Sequence, residues 1–397
     1  MPSSAALFLM LAAAAGGQSI VLNRDSLQPY QAASHGVEPG GNAQGFAYSI
    51  ALPEGRYRVT LRLGDRTRAG DTTVKAEARR LMLRSVRTRK GEEVERRFLV
   101  NVRTSALPQP PPTAPGGDRV RIDARDAQEF TWDDKLTLEF LGQPTVQSIR
   151  VEPVAAPTIF LAGDSTVTDQ YAKPAASWGQ MLPAMLDDRV VVANHAKSGE
   201  TLKSFLTSLR FDKLLSAMRP GDWLFIQFGH NDQKQQWPQT WVAPDSTYPA
   251  YLRVYIAEAR RRGAHPVLVT SPERRNFDAQ GKIVDTLGDY AAAVRKVAAE
   301  KGVPLIDLNA DSRTIYEALG PDVAPTAFND GGKDKTHHNN YGAWLLASAV
   351  AQRIRDTIPA LAPHVTADAF APEKPPTAAQ VAIAPSLIHS DQRPAGN

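Results

Sequence analysis

Cysteine is absent from this chain of 397 residues. The absence excludes disulfide bonds, thiolate metal sites and a cysteine nucleophile. It leaves the cellular compartment open, because a chain of this length can bury a core without covalent cross-links. A strong net charge is also missing, since the formal net charge is +4. Because no basic motif interleaved with aromatic residues is present either, we expect no nucleic-acid partner.

Long apolar runs are confined to the amino terminus. Residues Ala5–Ala15 form an apolar core and are followed by Gly16 and Gly17, a pattern that resembles a signal peptide. The lysine or arginine that usually precedes such a core is missing, so an ordinary buried N-terminal segment is the alternative. The run is too short to span a membrane stably. We expect a signal peptide at residues 1–18 and export to the periplasm or the cell exterior.

The hydrophobic pattern changes near Pro153–Pro157. Residues 19–154 alternate apolar and polar side chains between turn signals, as in Tyr57–Leu63, which predicts an antiparallel β-sandwich. Residues 157–362 repeat an apolar strand, a turn and an amphipathic helix, which predicts an α/β fold with a doubly wound parallel sheet. The composition of residues 363–397, rich in proline and alanine, predicts a poorly ordered tail.

Five strands are predicted in the α/β part of the chain: Thr158–Ala162, Arg189–Ala193, Asp222–Phe228, His265–Thr270 and Pro304–Leu308. Helices are predicted at Tyr251–Arg262 and Asp289–Lys301, the second ending at a glycine. Ligands of such sheets bind at the carboxyl ends of the strands. Because Ser165, Gly199 and Asn231 each follow one of the first three strands, we expect them on the same rim of the sheet.

Four short motifs supply the parts of a serine esterase: Gly163-Asp164-Ser165, Asn194–Gly199, Gly229–Asp232 and Asp334–His337. A serine hydroxyl needs a base that accepts its proton, and histidine is suited because it normally titrates near neutrality. His337 would be that base, and Asp334 would orient its ring. The backbone N–H groups of Ser165 and Gly199 and the amide of Asn231 would stabilise an oxyanion. The sequence therefore predicts catalytic Ser165, Asp334 and His337.

A metal site at His337 and His338 is the alternative for the last motif. A metal ion would need more ligands, and Asp334 is the nearest acidic neighbour at a useful spacing. We therefore expect no metal and no cofactor.

Together the four motifs resemble the GDSL or SGNH hydrolases, a superfamily named for its Ser, Gly, Asn and His blocks. Within it, the surrounding sequence is similar to the rhamnogalacturonan acetylesterase group at Phe160–Asp169, Ser177–Gln180, Gln227–Gln233, Ser271–Asp278 and Asp334–His337. The resemblance implies a flavodoxin-like α/β/α sandwich. It also implies removal of acetyl groups from rhamnogalacturonan or a related pectin through an acyl-enzyme. A broader short-chain acyl esterase or thioesterase and a noncatalytic carbohydrate-binding protein are the alternatives.

Four residues near the expected rim are candidates for binding this polysaccharide. Arg274 and Arg275 follow the fourth strand and would pair with sugar carboxylates, although surface ion pairs explain them equally well. Trp237 and Trp241 lie in the loop after the third strand and would stack on sugars. Glu200, in a block where family members often carry arginine and serine, would be unfavourable beside an acidic sugar.

Two further features have structural interpretations. Trp178 is expected in the core behind the serine turn. The basic stretch Ala78–Lys90 alternates as a strand does, so its charges are expected on a solvated face. With no obvious aromatic platform in the sandwich, we expect it to act as a spacer more than as a carbohydrate-binding module.

Overall fold

The computed structural model describes residues 17–22 and 27–390. Most of the predicted signal peptide, residues 1–16, lies outside the described residues. Within the described ranges, no helix combines the length and the apolar character that a membrane span requires.

The first nine strands form two antiparallel sheets. They are β1 (Gln18–Val21), β2 (His35–Val37), β3 (Gly45–Ala51), β4 (Gly55–Gly64), β5 (Gly70–Ala76), β6 (Arg80–Thr88), β7 (Glu93–Val102), β8 (Lys135–Gln143) and β9 (Val146–Pro153). The strand orders are β1-β9-β4-β7 and β2-β3-β8-β5-β6. Val59 and Leu61 of β4 alternate with less buried residues and pack with Leu138 and Phe140 of β8 in one core. The predicted β-sandwich is confirmed.

The next five strands form a parallel sheet with the order β11-β10-β12-β13-β14. They are β10 (Thr158–Gly163), β11 (Val191–Asn194), β12 (Trp223–Gln227), β13 (His265–Val269) and β14 (Leu305–Ile306). The α-helices are α1 (Trp178–Met181), α2 (Leu202–Thr207), α3 (Arg210–Ala217), α4 (Thr247–Arg261), α5 (Gly288–Lys301), α6 (Leu308–Val323) and α7 (Asn340–Thr357). The predicted doubly wound α/β fold is confirmed, with each predicted strand in place.

The parallel sheet is apolar on both faces because helices cover both. In β12, Trp223 and Phe225 join the core on the side of α1, α6 and α7. Leu224 and Ile226 point the other way and join the core formed with α2 to α5. This two-sided burial explains the uninterrupted apolar strands that the sequence shows.

Buried arginines join the β-sandwich to the α/β unit. Arg80 of β6 donates to one carboxylate oxygen of Asp169 at 2.9 and 2.6 Å. Arg79 donates to the carbonyl oxygens of Gln170, Ala172 and Ala175. Both arginines are buried. The expectation of a solvated basic face is therefore wrong at these two positions, because their partners lie in the other half of the chain.

The carboxyl-terminal segment differs from the loose tail that its composition predicts. Buried Lys75 of β5 donates to the carbonyl oxygen of Ala384 at 2.8 Å. Glu139 of β8 accepts the backbone N–H of Leu387 at 2.9 Å. Residues 384–387 thus pack against the β-sandwich, since their backbone groups serve as partners for charged side chains buried there. Three apolar residues earlier in the tail pack against the core of the α/β unit: Val365, Ala367 and Phe370.

Candidate active site

The turn after β10 presents Ser165 at the carboxyl edge of the sheet. Asp164 accepts hydrogen bonds from the backbone N–H of Thr166 at 2.9 Å and from its hydroxyl at 2.8 Å, which closes a local turn. A Cβ on Gly163 would lie 2.9 Å from the carbonyl oxygen of Gln227, so this position needs glycine. The Gly-Asp-Ser sequence therefore fixes the direction in which the serine leaves its strand.

A buried hydrogen-bond chain supports this turn from behind. The Trp178 indole donates to Gln227 at 2.7 Å, and the Gln227 amide donates to the Thr166 hydroxyl at 2.6 Å. Trp178 is fully buried, as expected from its sequence. On the other side of the turn, the Gln170 amide donates to the carbonyl oxygen of Ser165 at 2.5 Å.

The three predicted catalytic residues form a continuous hydrogen-bonded chain. His337 Nε2 lies 2.8 Å from Ser165 Oγ, and His337 Nδ1 lies 2.9 Å from Asp334 Oδ2. The second oxygen of Asp334 accepts the backbone N–H groups of Thr336 and His337, so the loop itself orients the carboxylate. Although burial raises the pKa of Asp334, hydrogen bonds from the His337 ring and backbone hold it well below its usual range.

The predicted oxyanion donors lie on adjacent loops. Gly199, after β11, has a φ of 87°, a conformation that glycine adopts without strain. The Asn231 amide donates to the carbonyl oxygen of Glu200 at 3.0 Å. This bond joins the Gly229–Asp232 motif, the third block, to the end of the Asn194–Gly199 motif, the second block. The Lys197 backbone N–H donates to the Gly163 carbonyl at 3.0 Å and joins the second block to the serine turn. Within residues 27–390, the N–H groups of Ser165 and Gly199 have no protein acceptor.

A second buried acid–histidine pair lies beside this chain. Asp164 Oδ2 is 3.6 Å from His230 Nδ1, and both side chains are buried. Burial raises the pKa of Asp164, but contact with His230 and Thr166 brings it below its usual value. Burial lowers the pKa of His230, which favours the neutral ring. Asp232 accepts the Leu202 backbone N–H at 2.9 Å. Asp164 thus braces the serine turn, and Asp232 holds the start of α2 against the loop after β12.

Arg275 is placed differently from the expected substrate contact. Its guanidinium donates to the carbonyl oxygen of Gly332 and lies 5.1 Å from the centre of the Phe328 ring. Its backbone N–H donates to the Lys335 carbonyl at 2.9 Å. Because the side chain is buried against the loop that carries Asp334, Arg275 holds that loop in position.

The other three predicted substrate-binding residues lie at the rim. Arg274 is partly buried and donates to the Thr286 hydroxyl at 3.0 Å. Trp237 is partly exposed, with Lys234 Nζ 4.2 Å from its ring centre. Trp241, on the same loop, is 36% exposed. Their positions are compatible with the predicted sugar contacts, and those contacts remain a prediction.

The sequence did not single out several charged residues that surround the second block. Asp126 of the β-sandwich accepts from Lys197 Nζ at 2.7 Å and from Arg210 at 2.5 Å. Lys197 Nζ is also 3.1 Å from Asp123. Lys197 belongs to the Asn194–Gly199 motif, but its partners lie more than 70 residues earlier in the chain. No local pattern could have found them.

Glu200 turns towards the helices that follow the second block. Its carboxylate accepts from the Ser204 hydroxyl and lies 3.6 Å from Arg210 Nε. Burial raises the pKa of Glu200, although Ser204 and Arg210 oppose that shift. Its charge is thus partly compensated inside the protein.

Histidine and carboxylate side chains are clustered in this region, yet they do not form a metal centre. Among residues 17–22 and 27–390, no group of three or more histidines and acids is arranged to hold a metal ion.

Comparison with known proteins gives a class that agrees with this fold. Residues 161–345 match the model of the GDSL-like Lipase/Acylhydrolase family. The chain is 41% identical over 211 residues to rhamnogalacturonan acetylesterase RhgT of Bacillus subtilis, covering 50% of this chain and 89% of that protein. It is 27% identical over 218 residues to a rhamnogalacturonan acetylesterase of Emericella nidulans, covering 50% of this chain and 85% of the relative.

One solved structure aligns with a larger share of the chain. The crystal structure of the Bacillus subtilis protein YxiM aligns with 81% of this chain and 87% of its own, at 24% identity and a TM-score of 0.49. From the family match and the 41% identical relative, the chain belongs to the SGNH, or GDSL-like, hydrolases and to their rhamnogalacturonan acetylesterase-like group. It is a carboxylic ester hydrolase.

Proposed function

We propose that this protein is a serine carbohydrate acetylesterase that removes acetyl groups from rhamnogalacturonan or a related pectin. The observation that carries the proposal is the chain Ser165–His337–Asp334, with 2.8 and 2.9 Å between successive polar atoms. These distances are those at which a nucleophile, a base and an orienting acid act as a unit.

In the proposed reaction, His337 Nε2 takes the proton of Ser165 as its oxygen attacks the acetyl carbonyl carbon. The resulting oxyanion accepts hydrogen bonds from Ser165 N–H, Gly199 N–H and the Asn231 amide. The sugar oxygen then leaves with the proton from His337, and the acetyl group stays on Ser165. Water then attacks the acetyl carbonyl carbon of the acyl-enzyme while His337 accepts a proton from that water. His337 returns the proton to Ser165 Oγ as acetate leaves.

Two relatives named as rhamnogalacturonan acetylesterases support the substrate class. The apolar run within residues 1–18 supports export, which would bring the enzyme to a polymer too large to enter a cell.

Acetate release tests the proposal. We would compare acetylated rhamnogalacturonan, acetylated xylan and a small acetyl ester, using the wild type, Ser165→Ala and the exposed control Ser85→Ala. Ser165→Ala is expected to lower kcat at least about 10⁴-fold, while the control stays near the wild type. Activity on the small ester alone would indicate another specificity. Equal activity of Ser165→Ala and the wild type would refute the mechanism.

A further inference from the structure

A cleft of about 540 Å³ lies between the β-sandwich and the α/β unit. Its walls come from three separate parts of the chain: Asp123 of the sandwich, residues of the segment Lys197–Ser204, and the loop Trp237–Thr240. The volume falls in the range of ligand sites, roughly 300–1,000 Å³. Because Gly199 lines it and is a proposed oxyanion donor, the cleft adjoins the expected position of the acetyl group.

The sandwich wall of this cleft is held rigidly. Asp126 is buried and anchors the segment to Lys197 and Arg210. One oxygen of Asp123 accepts the backbone N–H groups of Arg125 and Asp126, each at 2.9 Å. The other oxygen lies 3.1 Å from Lys197 Nζ, and the side chain is 55% exposed. Asp123 thus presents a fixed carboxylate that can still accept hydrogen bonds from a ligand.

The charges of the cleft disfavour an acidic sugar. Its lining residues, all within the described part of the chain, include one cation, Lys197, and two acids, Asp123 and Glu200. The charge of Lys197 is already shared between Asp123 and Asp126. The lining residues themselves therefore offer a sugar carboxylate no surplus positive charge. The further cation Lys234, 4.2 Å from the centre of the Trp237 ring, already donates to Asn231 Oδ1 at 3.1 Å. A neutral sugar, by contrast, can donate its hydroxyl groups to Asp123 and place its C–H face on Trp237.

We propose that this cleft binds a neutral sugar unit of the polysaccharide, next to the acetylated unit, with Asp123 and Trp237 as its main contacts. The inference rests on the proposed polysaccharide substrate. It gives the β-sandwich a part in substrate recognition, beyond the spacer role that its sequence suggested.

Binding and turnover test this assignment separately. In the Ser165→Ala chain, Asp123→Asn and Trp237→Ala are expected each to weaken binding of deacetylated rhamnogalacturonan oligosaccharides about tenfold by calorimetry. In the active chain, the same two changes should lower kcat/KM for the acetylated polymer about tenfold more than kcat/KM for a small acetyl ester, because that ester has no second sugar unit to place in the cleft. Asp118→Asn, an exposed aspartate outside the cleft lining, is the matched control and should change neither quantity.

An acidic probe adds a second criterion. Binding of oligogalacturonate, which lacks neutral units, should not weaken in Asp123→Asn.

Unchanged binding of rhamnogalacturonan oligosaccharides in both variants would overturn the proposal. The proposal would also be overturned if Asp123→Asn lowered activity on the small ester as much as activity on the polymer, because Asp123 would then act through the Gly199 loop. Acetate release from the polymer by the wild type, with no effect of either variant, would overturn the cleft proposal alone. No release from any polysaccharide would overturn the proposed function first.

Discussion

Replacing Asp334 by asparagine would test the orientation of the catalytic histidine. Asparagine keeps one oxygen for the backbone N–H groups of Thr336 and His337, so the local turn can persist. At the second oxygen, which lies 2.9 Å from His337 Nδ1, the change would place an NH₂ donor. The ring would then have to accept at Nδ1 and carry its proton on Nε2. In that tautomer it cannot accept the proton of Ser165.

The size of the effect follows from this tautomer change. A similar replacement in a serine protease triad lowers kcat about 10⁴-fold. With about 1.36 kcal/mol for each factor of ten, this corresponds to about 5.5 kcal/mol of lost transition-state stabilisation. Loss of one charged hydrogen bond would lower the free energy of unfolding by only about 1.5–3 kcal/mol. Catalysis should therefore suffer much more than folding.

The assay is kcat on a small acetyl ester, measured beside a thermal melting curve. Asp330→Asn, in the same loop, is the control and should retain activity within about twofold. A fall in kcat smaller than about tenfold, with the protein folded, would refute the assigned role of Asp334.

Three further predictions concern stability. Arg56→Ala should lower the free energy of unfolding by about 3–5 kcal/mol, because the buried carboxylate of Asp222 loses its ion-pair partner at 2.7 Å and keeps the backbone N–H groups of Thr158 and Arg219. Arg58 is more exposed, so Arg58→Ala should change the free energy of unfolding by less than about 1 kcal/mol. Both variants are measured by urea titration. A chain ending at Val365 should melt at a lower temperature, since the tail partner of Lys75 is lost, and an unchanged curve would contradict this. Burial lowers the pKa of Lys75 to about 7 from 10.5, so the unfolded chain binds more protons between these values. The free energy of unfolding should therefore rise with pH between about 7 and 10.5, and Lys75→Met should make this rise smaller.

The sequence was informative where the relevant physics is local. Alternation in Tyr57–Leu63 and the apolar strand before Ser165 report burial on one or two faces, so strands and sheet type could be predicted. Asp334 and His337 are three residues apart, and one turn of loop brings their side chains together. The Ser165–His337 contact was predictable as well, because few residue types can carry that chemistry.

Contacts between distant segments could not be predicted in this way. A strand that faces water and a strand that faces another domain show the same period-two alternation. The alternation therefore could not reveal that Arg80 binds Asp169 in the α/β unit. Composition also failed for the tail, because Ala384 and Leu387 bind through backbone groups that every residue possesses. Arg275 illustrates a third case, since a guanidinium satisfies a backbone carbonyl as readily as a substrate carboxylate.

The hydrogen bonds from Arg79 to the loop after Ser165 limit how the two halves of this protein can be separated or exchanged. Arg79 donates to the Gln170 carbonyl, and the Gln170 side chain donates to the Ser165 carbonyl. A gene fragment that encodes the α/β half alone would thus discard two of the groups that hold this loop, Arg79 and Arg80. An unrelated sandwich joined in its place would need arginines at matching positions. Joining the α/β half to another domain would therefore leave the loop after Ser165 without this support, although each half has its own hydrophobic core.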